Sequence, residues 1–356
     1  MIMTRSVSQI ISFATLLLFG VLLLACSKSL DNEPTTSATG QAQPEKNSEK
    51  VPAQQEAIDW PDNVEPSYVS MELKQVSPHI YYVEGPPGTP TDNEGFMSNA
   101  GVVVTDAGVV VFDALGTPSL AYKLYTKIKA LTDKPVVKVV VSHYHADHIY
   151  GLQVFKEAGA EIIAPAGAKV YLASDAAEGR LKQRRESLFP WVNENTYLVK
   201  PDRFVDEDTE ITVGDVKLQL LVLGSTHSEG DLMMRVKPDN VLFSGDLVFE
   251  GRIPFVAGSN PDGWLTRLSE LDTSNLTAII PGHGTASSNP QQAMEFTKGY
   301  LEYLYRSMGD AVDNLTSFDE AYKQTDWSRY NKLPAFLANR TNAYFIYLRL
   351  EAASMQ

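Results

Sequence analysis

The sequence has one cysteine, Cys26, among its 356 residues. An intramolecular disulfide is therefore impossible, and a metal site built from several thiolates is excluded. Basic residues are also few, because 30 Lys and Arg stand against 44 Asp and Glu and give a formal net charge of −14. So acidic a chain repels phosphate backbones, and we exclude nucleic acid as a partner. Any chemistry must come from histidines, carboxylates and hydroxyl groups.

Long hydrophobic runs are missing except at the N terminus, in residues 1–26. There Arg5 precedes the apolar stretch Ile10–Leu24, and the segment ends in Leu-Ala-Cys at Cys26. This ending resembles the lipobox of bacterial lipoproteins, where the signal peptide is cut before a cysteine that is then acylated. We predict an exported lipoprotein with its lipid anchor on a membrane surface, facing the periplasm. Ser27 after the cysteine favours the outer membrane, and an uncleaved anchor or an ordinary secretory signal is the alternative.

Three further segments differ in composition. Residues 27–66 are mostly small, polar or charged, and too few apolar side chains are present to offset the entropy of ordering, so we predict a disordered tether. Residues 67–289 alternate short apolar runs with helical patterns, which predicts a catalytic domain of two mixed sheets with helices outside them. Within it the patterns predict a helix over Pro118–Leu131, helical structure over residues 165–190 and a strand over Val241–Ser244. Residues 290–356 predict a C-terminal helical extension.

The six histidines of the chain are unevenly distributed, since three of them lie in the hexapeptide 143–148, with the sequence HYHADH. It follows the β-branched run Val136–Ser142, which predicts a buried strand ending at the edge where α/β proteins place their sites. Three histidines and an aspartate are too many ligands for one tetrahedral ion, so two adjacent metals fit better. Three more candidates each follow an apolar strand beside a glycine: His227, Asp246 and His283.

This series of motifs resembles the metallo-β-lactamase superfamily over about residues 71–285. The resemblance implies an α/β (α+β) fold, a four-layer αβ/βα sandwich with a dinuclear site at one edge. It also implies two Zn²⁺ per chain, with Fe or Mn as alternatives. The implied ligands are His143, His145 and His227 for the first metal, Asp147, His148 and His283 for the second, and Asp246 as a bridge.

Two further roles come from the same resemblance. Asp147 would be the catalytic residue that orients a metal-bound hydroxide for attack on the substrate. Asp113, at the end of an apolar run, would orient the ligand histidines by contacting them on the side away from the metals.

The substrate is harder to predict. The absence of a cysteine outside the signal excludes the β-lactamases that place one on the second metal, and Asp246 matches the bridging aspartate of glyoxalase II-type hydrolases. We therefore expect a small-molecule substrate with an activated carbonyl, such as a thioester or ester. Three alternatives remain open: a β-lactamase of the Asp-His-His type, a mononuclear iron enzyme like the persulfide dioxygenases, and a non-catalytic periplasmic metal-binding accessory protein.

Substrate contacts are predicted at four positions, which are Tyr144, Trp191, Arg252 and Phe255. Residues 174–200 resemble an insertion, either a solvated helix or a lid over the site. The tail from Gln291 resembles exported metallohydrolases associated with sulfur-oxidation or quinoprotein systems. The sequence leaves the oligomeric state open.

Overall fold

The computed structural model describes residues 59–355. The predicted signal peptide, Cys26 and the tether up to residue 58 lie outside the described residues. Within residues 59–355, no helix combines the length and the apolar character needed to cross a membrane.

The first sheet contains seven strands that pair in chain order. They are β1 (Lys74–Gln75), β2 (Ile80–Val83), β3 (Ala100–Val104), β4 (Val109–Phe112), β5 (Val136–Val140), β6 (Glu161–Pro165) and β7 (Arg203–Val205). The pairs from β1 to β4 are antiparallel and those from β4 to β7 are parallel. Each parallel pair requires a crossover connection. The crossovers contain α1 (Pro118–Leu131), α2 (Ala146–Ile149), α3 (Leu152–Glu157), α4 (Ala168–Leu172) and α5 (Asp175–Ser187).

The second sheet contains five strands in the order β12-β11-β10-β9-β8. They are β8 (Thr209–Val213), β9 (Val216–Gly224), β10 (Asp231–Lys237), β11 (Val241–Phe249) and β12 (Ala278–His283). Only β11 and β12 are parallel in this sheet, and α6 (Pro261–Glu270) connects them. The chain then continues through α7 (Pro290–Asp313), α8 (Phe318–Gln324) and α9 (Asn339–Ser354).

Three apolar cores define the layers. Between the sheets, the rings of Phe112 and Phe243 stack with their centroids 5.2 Å apart. A second core joins the outer face of the first sheet to α1 and α3, and a third joins the outer face of the second sheet to α6, α7 and α9. The order helix, sheet, sheet, helix is the predicted αβ/βα sandwich, and the predicted C-terminal helices are present.

Several elements follow their sequence signals. Helix α1 has the predicted bounds because Thr117 accepts a hydrogen bond from the Leu120 backbone N–H and Pro118 occupies the first helical position. The segment 165–190, predicted to be helical, contains α4 and α5 as two separate helices, whereas β7 was not predicted.

The structure corrects the end of the predicted tether at residue 66. The ring of Trp60 lies 5.4 Å from that of Tyr122 on α1, and Val64 is buried. The hydroxyl of Tyr122 also donates to the carbonyl of Asp59 at 2.8 Å. Packed structure therefore begins before residue 67, because one aromatic and one aliphatic side chain in an otherwise polar stretch find apolar partners on α1.

Strand β11 is longer than its apolar run predicts, since it continues past Ser244 to Phe249. Its pairing with β12 shifts register around Gly245, which has a φ of +51°. That left-handed conformation favours glycine. The irregularity turns Asp246 toward the C-terminal end of β12, where a Cβ on Gly282 would lie only 2.0 Å from the Asp246 Oδ1 atom.

Candidate metal centre

The seven predicted ligands meet in one cluster between the ends of the two sheets. In each of two groups, every residue offers one ligand atom and these atoms lie within 4.8 Å of one another. The groups are His143, His145, His227 and Asp246, and then Asp147, His148 and His283. Four of the seven residues follow β5 in the first sheet, and three belong to the second sheet or its loops.

The carboxylate of Asp246 contacts both groups. Its Oδ2 atom lies 3.2 Å from Nε2 of His227 and 3.3 Å from Nε2 of His283. Its Oδ1 atom lies 3.3 Å from Nε2 of His148. One carboxylate is therefore placed to serve two cations at once.

Several buried polar atoms of the cluster have no hydrogen-bond partner in the protein and are free to bind a metal. Among residues 59–355, Nε2 of His143, Nε2 of His148 and Oδ1 of Asp246 are buried and have no hydrogen-bond partner. Buried polar atoms rarely remain unpaired in folded proteins. Imidazole nitrogens and carboxylate oxygens are ligands of zinc-like divalent ions, so the donor set fits the implied metals.

Asp113 fixes the orientation of two of these histidines. Its Oδ2 atom accepts hydrogen bonds from Nδ1 of His148 and from Oγ of Ser142, both at 2.8 Å. The Ser142 hydroxyl also lies 2.8 Å from Nδ1 of His143, which leaves Nε2 of both rings free for a metal. Asp113 has a φ of +62°, a strained conformation for a residue other than glycine, and such strain is concentrated at functional sites.

We expect Asp113→Asn to weaken zinc affinity about 10- to 100-fold, the usual cost of losing a partner behind a metal ligand. The amide lacks the negative charge that favours donation from His148 Nδ1, and its NH₂ group cannot accept from Ser142. Competition with a zinc-binding dye measures the effect. Asp239→Asn is the matched control, because Asp239 is also a buried carboxylate paired with a histidine, 2.8 Å from Nδ1 of His79. Equal affinity in the wild type and both variants would contradict the role of Asp113.

The histidines of the first group are neutral. Burial lowers the pKa of His143 well below its ordinary value, and the charges of His148 and His145 lower it further. Burial and the neighbouring His227 lower the pKa of His145 to about 4, and burial lowers the pKa of His227 to about 4. Metal ligation requires an unprotonated imidazole nitrogen, so these three rings are prepared for it near neutral pH.

The second group, together with the Asp246 carboxylate that contacts it, has the opposite electrostatics. Burial disfavours charge on His148, but Asp246, Asp113 and Asp147 outweigh it and raise the pKa of His148 well above its ordinary value. Burial likewise opposes ionisation of Asp246, yet the charges of His283 and His148 keep its pKa well below the usual range. The carboxylates therefore attract positive charge, which is the electrostatic condition for binding cations.

The loop that carries His227 depends on a buried aspartate that sequence reasoning missed. Oδ2 of Asp231 accepts from the backbone N–H and hydroxyl of Thr226, at 3.0 and 2.6 Å, and from the backbone N–H of Ser228, at 2.8 Å. These bonds close the turn around His227. The Gly-Asp pair after the histidine is the only signal for this role in the sequence.

Carbonyl and aromatic groups orient the remaining rings. Nδ1 of His283 lies 2.7 Å from the carbonyl oxygen of Met97, which can only accept, so this nitrogen donates and Nε2 faces the cluster. Phe249 stacks on the His283 ring, with a centroid distance of 5.2 Å, and the ring of Trp264 lies 5.1 Å from that of His227. No pattern in the sequence identifies Met97.

Comparison with known proteins identifies the family. The sequence profile of the metallo-beta-lactamase superfamily matches residues 93–283, more than half of the chain, and the match spans all seven ligands. The chain belongs to the metallo-β-lactamase superfamily. The family prediction is thus confirmed.

Known members of the superfamily show moderate similarity to this chain. Acyl-coenzyme A thioesterase MBLAC2 of Gallus gallus is 31% identical over 156 residues, which cover 40% of this chain and 55% of that protein. Metallo-beta-lactamase type 2 of Bacillus cereus is 24% identical over 196 residues, covering 54% of this chain and 68% of that protein. The chain therefore spans about half the length of the thioesterase and two thirds of the lactamase.

A solved structure confirms the architecture. The sec-alkylsulfatase Pisa1 from Pseudomonas sp. superimposes with a TM-score of 0.61 at 19% identity, over 78% of this chain and 50% of that chain. So low an identity shows the fold alone. The two sequence relatives are named as a thioesterase and a β-lactamase, both of which are hydrolases, so the prediction of membership in a hydrolase family is confirmed.

The predicted substrate contacts occupy different surroundings in this metallo-β-lactamase fold. Arg252 is 7% exposed and its Nη1 atom lies 3.3 Å from Nδ1 of His283. Phe255 is exposed on the same loop. Tyr144 is buried and donates its hydroxyl hydrogen to the carbonyl of Val199, whereas Nε1 of Trp191 donates to the carbonyl of Pro66. Only Arg252 contacts a ligand of the cluster through a hydrogen-bonding atom; substrate roles for the other three stay predictions.

Proposed function

We propose that the protein is a dinuclear zinc hydrolase that cleaves a thioester or ester of a small molecule. The observation that carries this proposal is the position of Asp246, whose carboxylate lies 3.2 Å from His227 and 3.3 Å from His283. Because this aspartate lies between the two groups, the second group is surrounded only by nitrogen and oxygen ligands. The similarity to a thioesterase over 156 residues supports the same chemistry.

The two ions, when bound, lower the pKa of a water molecule and polarise the scissile bond. The protein's own residues position the reaction. Burial opposes ionisation of Asp147, but His148 and His283 keep its pKa well below the usual range, so it is a carboxylate at neutral pH. In that state it can accept a hydrogen bond from the attacking water and orient it. Phe249 and Trp264 pack against ligand rings and exclude bulk water, which strengthens the electrostatic interactions of the site.

A substrate screen tests the proposal. One zinc-loaded sample is assayed on a glutathione thioester, an acyl lactone, a carbapenem and a persulfide, with Asp246→Asn, purified in the same way, as the control for contaminating activity. We expect the thioester or lactone to give the highest kcat/KM. A carbapenem preferred by more than tenfold, about 1.4 kcal/mol in transition-state binding, would assign the protein to the β-lactamases instead. Oxygen consumption with the persulfide and one bound iron would indicate a dioxygenase, and no turnover would indicate an accessory protein.

We also propose that the mature protein begins at an acylated Cys26 and is anchored to a membrane facing the periplasm. The Leu-Ala-Cys ending of the N-terminal apolar stretch supports this. Mass spectrometry of the N-terminal peptide tests it. An unmodified Cys26 thiol or a different mature N terminus would refute it.

A further inference from the structure

A buried arginine without a carboxylate partner lies beside the candidate metal centre. Arg252 is 7% exposed, on the loop between β11 and α6. No carboxylate oxygen of residues 59–355 lies within 4.0 Å of its guanidinium, although acidic residues outnumber basic ones by 44 to 30 in the chain. Charged side chains are almost never fully buried unless they are paired. Arg252 therefore requires an explanation.

The contacts of the guanidinium leave its donors unused. Its Nε atom is buried and has no hydrogen-bond partner among the described residues. Its Nη1 atom lies 3.3 Å from Nδ1 of His283, but that nitrogen already donates to the carbonyl of Met97. Two donors that face each other do not form a hydrogen bond. The group is thus a cation with a rigid fork of N–H donors and no acceptor.

The loop around Arg252 is fixed from the C-terminal helices. The side-chain amide of Asn342, fully buried on α9, accepts from the backbone N–H of Val256 at 2.9 Å and donates to the carbonyl of Pro254 at 2.7 Å. These two bonds fix the backbone at Pro254 and Val256, which follow Arg252 by two and four residues. The guanidinium is therefore held near the cluster by the fold, which is the preorganisation that a binding residue needs.

The charge of the centre points to the missing partner. The three carboxylates of the centre, those of Asp113, Asp147 and Asp246, are already engaged by its histidines, so none of them is available to pair with Arg252. Arg252 adds a positive charge next to His283. An oxyanion would neutralise the charge of Arg252 and accept from the unused N–H donors, and arginine is the side chain best suited to bind carboxylate, sulfate or phosphate.

We propose that Arg252 binds an oxyanion carried by the substrate, so that the preferred substrate is an anionic ester or thioester. This proposal rests on the proposed hydrolase function and specifies its substrate class. The bound group is a carboxylate or a tetrahedral oxyanion close to the scissile bond. Arg252 is then a residue that determines specificity.

A binding experiment tests the proposal without using turnover. Succinate and inorganic sulfate are titrated calorimetrically into the zinc-loaded wild type, Arg252→Gln and Arg349→Gln. Arg349 is the matched control, because it is an arginine already paired with Asp262 on the surface. We expect one of the two anions to bind the wild type and the control at least tenfold more tightly than Arg252→Gln, at equal zinc content. Succinate binding would identify a carboxylate site and sulfate binding a tetrahedral one.

Three results would overturn the proposal: no anion binding by the wild type, equal binding by Arg252→Gln, or loss of zinc from Arg252→Gln. The last result would show that Arg252 supports His283 instead of binding substrate.

Kinetics with a pair of esters provide the second measurement. A neutral 4-nitrophenyl ester is compared with one that has a carboxylate on its acyl chain. We expect the anionic-to-neutral ratio of kcat/KM to fall at least tenfold in Arg252→Gln, mainly through KM, with partial rescue in Arg252→Lys. A ratio equal to that of the wild type would refute the proposal. If the wild type hydrolyses neither ester, the calorimetric result alone decides whether Arg252 binds anions, and the thioester and lactone assays decide the hydrolase function separately.

Discussion

Asp246→Asn is expected to lower kcat/KM on the best substrate at least 1000-fold, about 4 kcal/mol of transition-state stabilisation. The asparagine keeps the size of the side chain, so the close approach to Gly282 is preserved. It removes the negative charge that lies between the two ligand groups, and two cations would then face each other with less compensation. We expect the variant to retain about one of two zinc equivalents.

Elemental analysis and kinetics on one preparation check this prediction. Asp239→Asn again serves as the control, because its carboxylate pairs with His79 outside the cluster and should retain both zinc equivalents. Two tightly bound equivalents in Asp246→Asn would remove the bridging role and favour the Asp-His-His arrangement of the lactamases.

Removal of metal is expected to lower the melting temperature by roughly 8 °C. A ligand present at 1000 times its dissociation constant stabilises the folded state by about 4 kcal/mol, and 1 kcal/mol shifts Tm by about 2 °C or more in a domain of this size. The reason lies in the half-buried carboxylate of Asp147 and the buried carboxylate of Asp246, which lose the charges of the cations when these are removed.

Differential scanning calorimetry with and without a chelator measures this shift. Excess zinc should reverse it. His145→Ala, which removes one ligand of the first group, should show a smaller response to the chelator than the wild type. A wild-type Tm that the chelator leaves unchanged would show that no metal stabilises this fold.

The parts of the fold that were predictable from the sequence depend on local signals. Helix α1 was predicted with its observed bounds because its cap, its first-turn proline and its apolar spacing all lie within one segment. The short strand β7 was missed because it has three residues and only one of them is buried. Strand β11 was predicted too short because a glycine such as Gly245 is typical of a strand end. In the structure Gly245 instead lies at a shift of register within the strand.

The ligand set was predictable because the hexapeptide 143–148 concentrates an unusual chemistry in one place. The residues that hold these ligands and the neighbouring loops in place were less predictable. Asp113 was predicted only through the family resemblance, and the bond between Ser142 and His143 has no signature in the sequence. Asn342 lies 86 residues from Val256 along the chain, and contacts of that separation follow from the packing of α9 and not from any periodic pattern.

The division of the ligands between the two sheets has a consequence for assembly. A cut in the connection between β7 and β8 would leave His143, His145, Asp147 and His148 on one fragment and His227, Asp246 and His283 on the other. Each ligand group takes members from both fragments, so neither fragment alone can complete either site. Zinc would then act as a cross-link between the halves, and reassociation of the split protein would depend on the metal concentration.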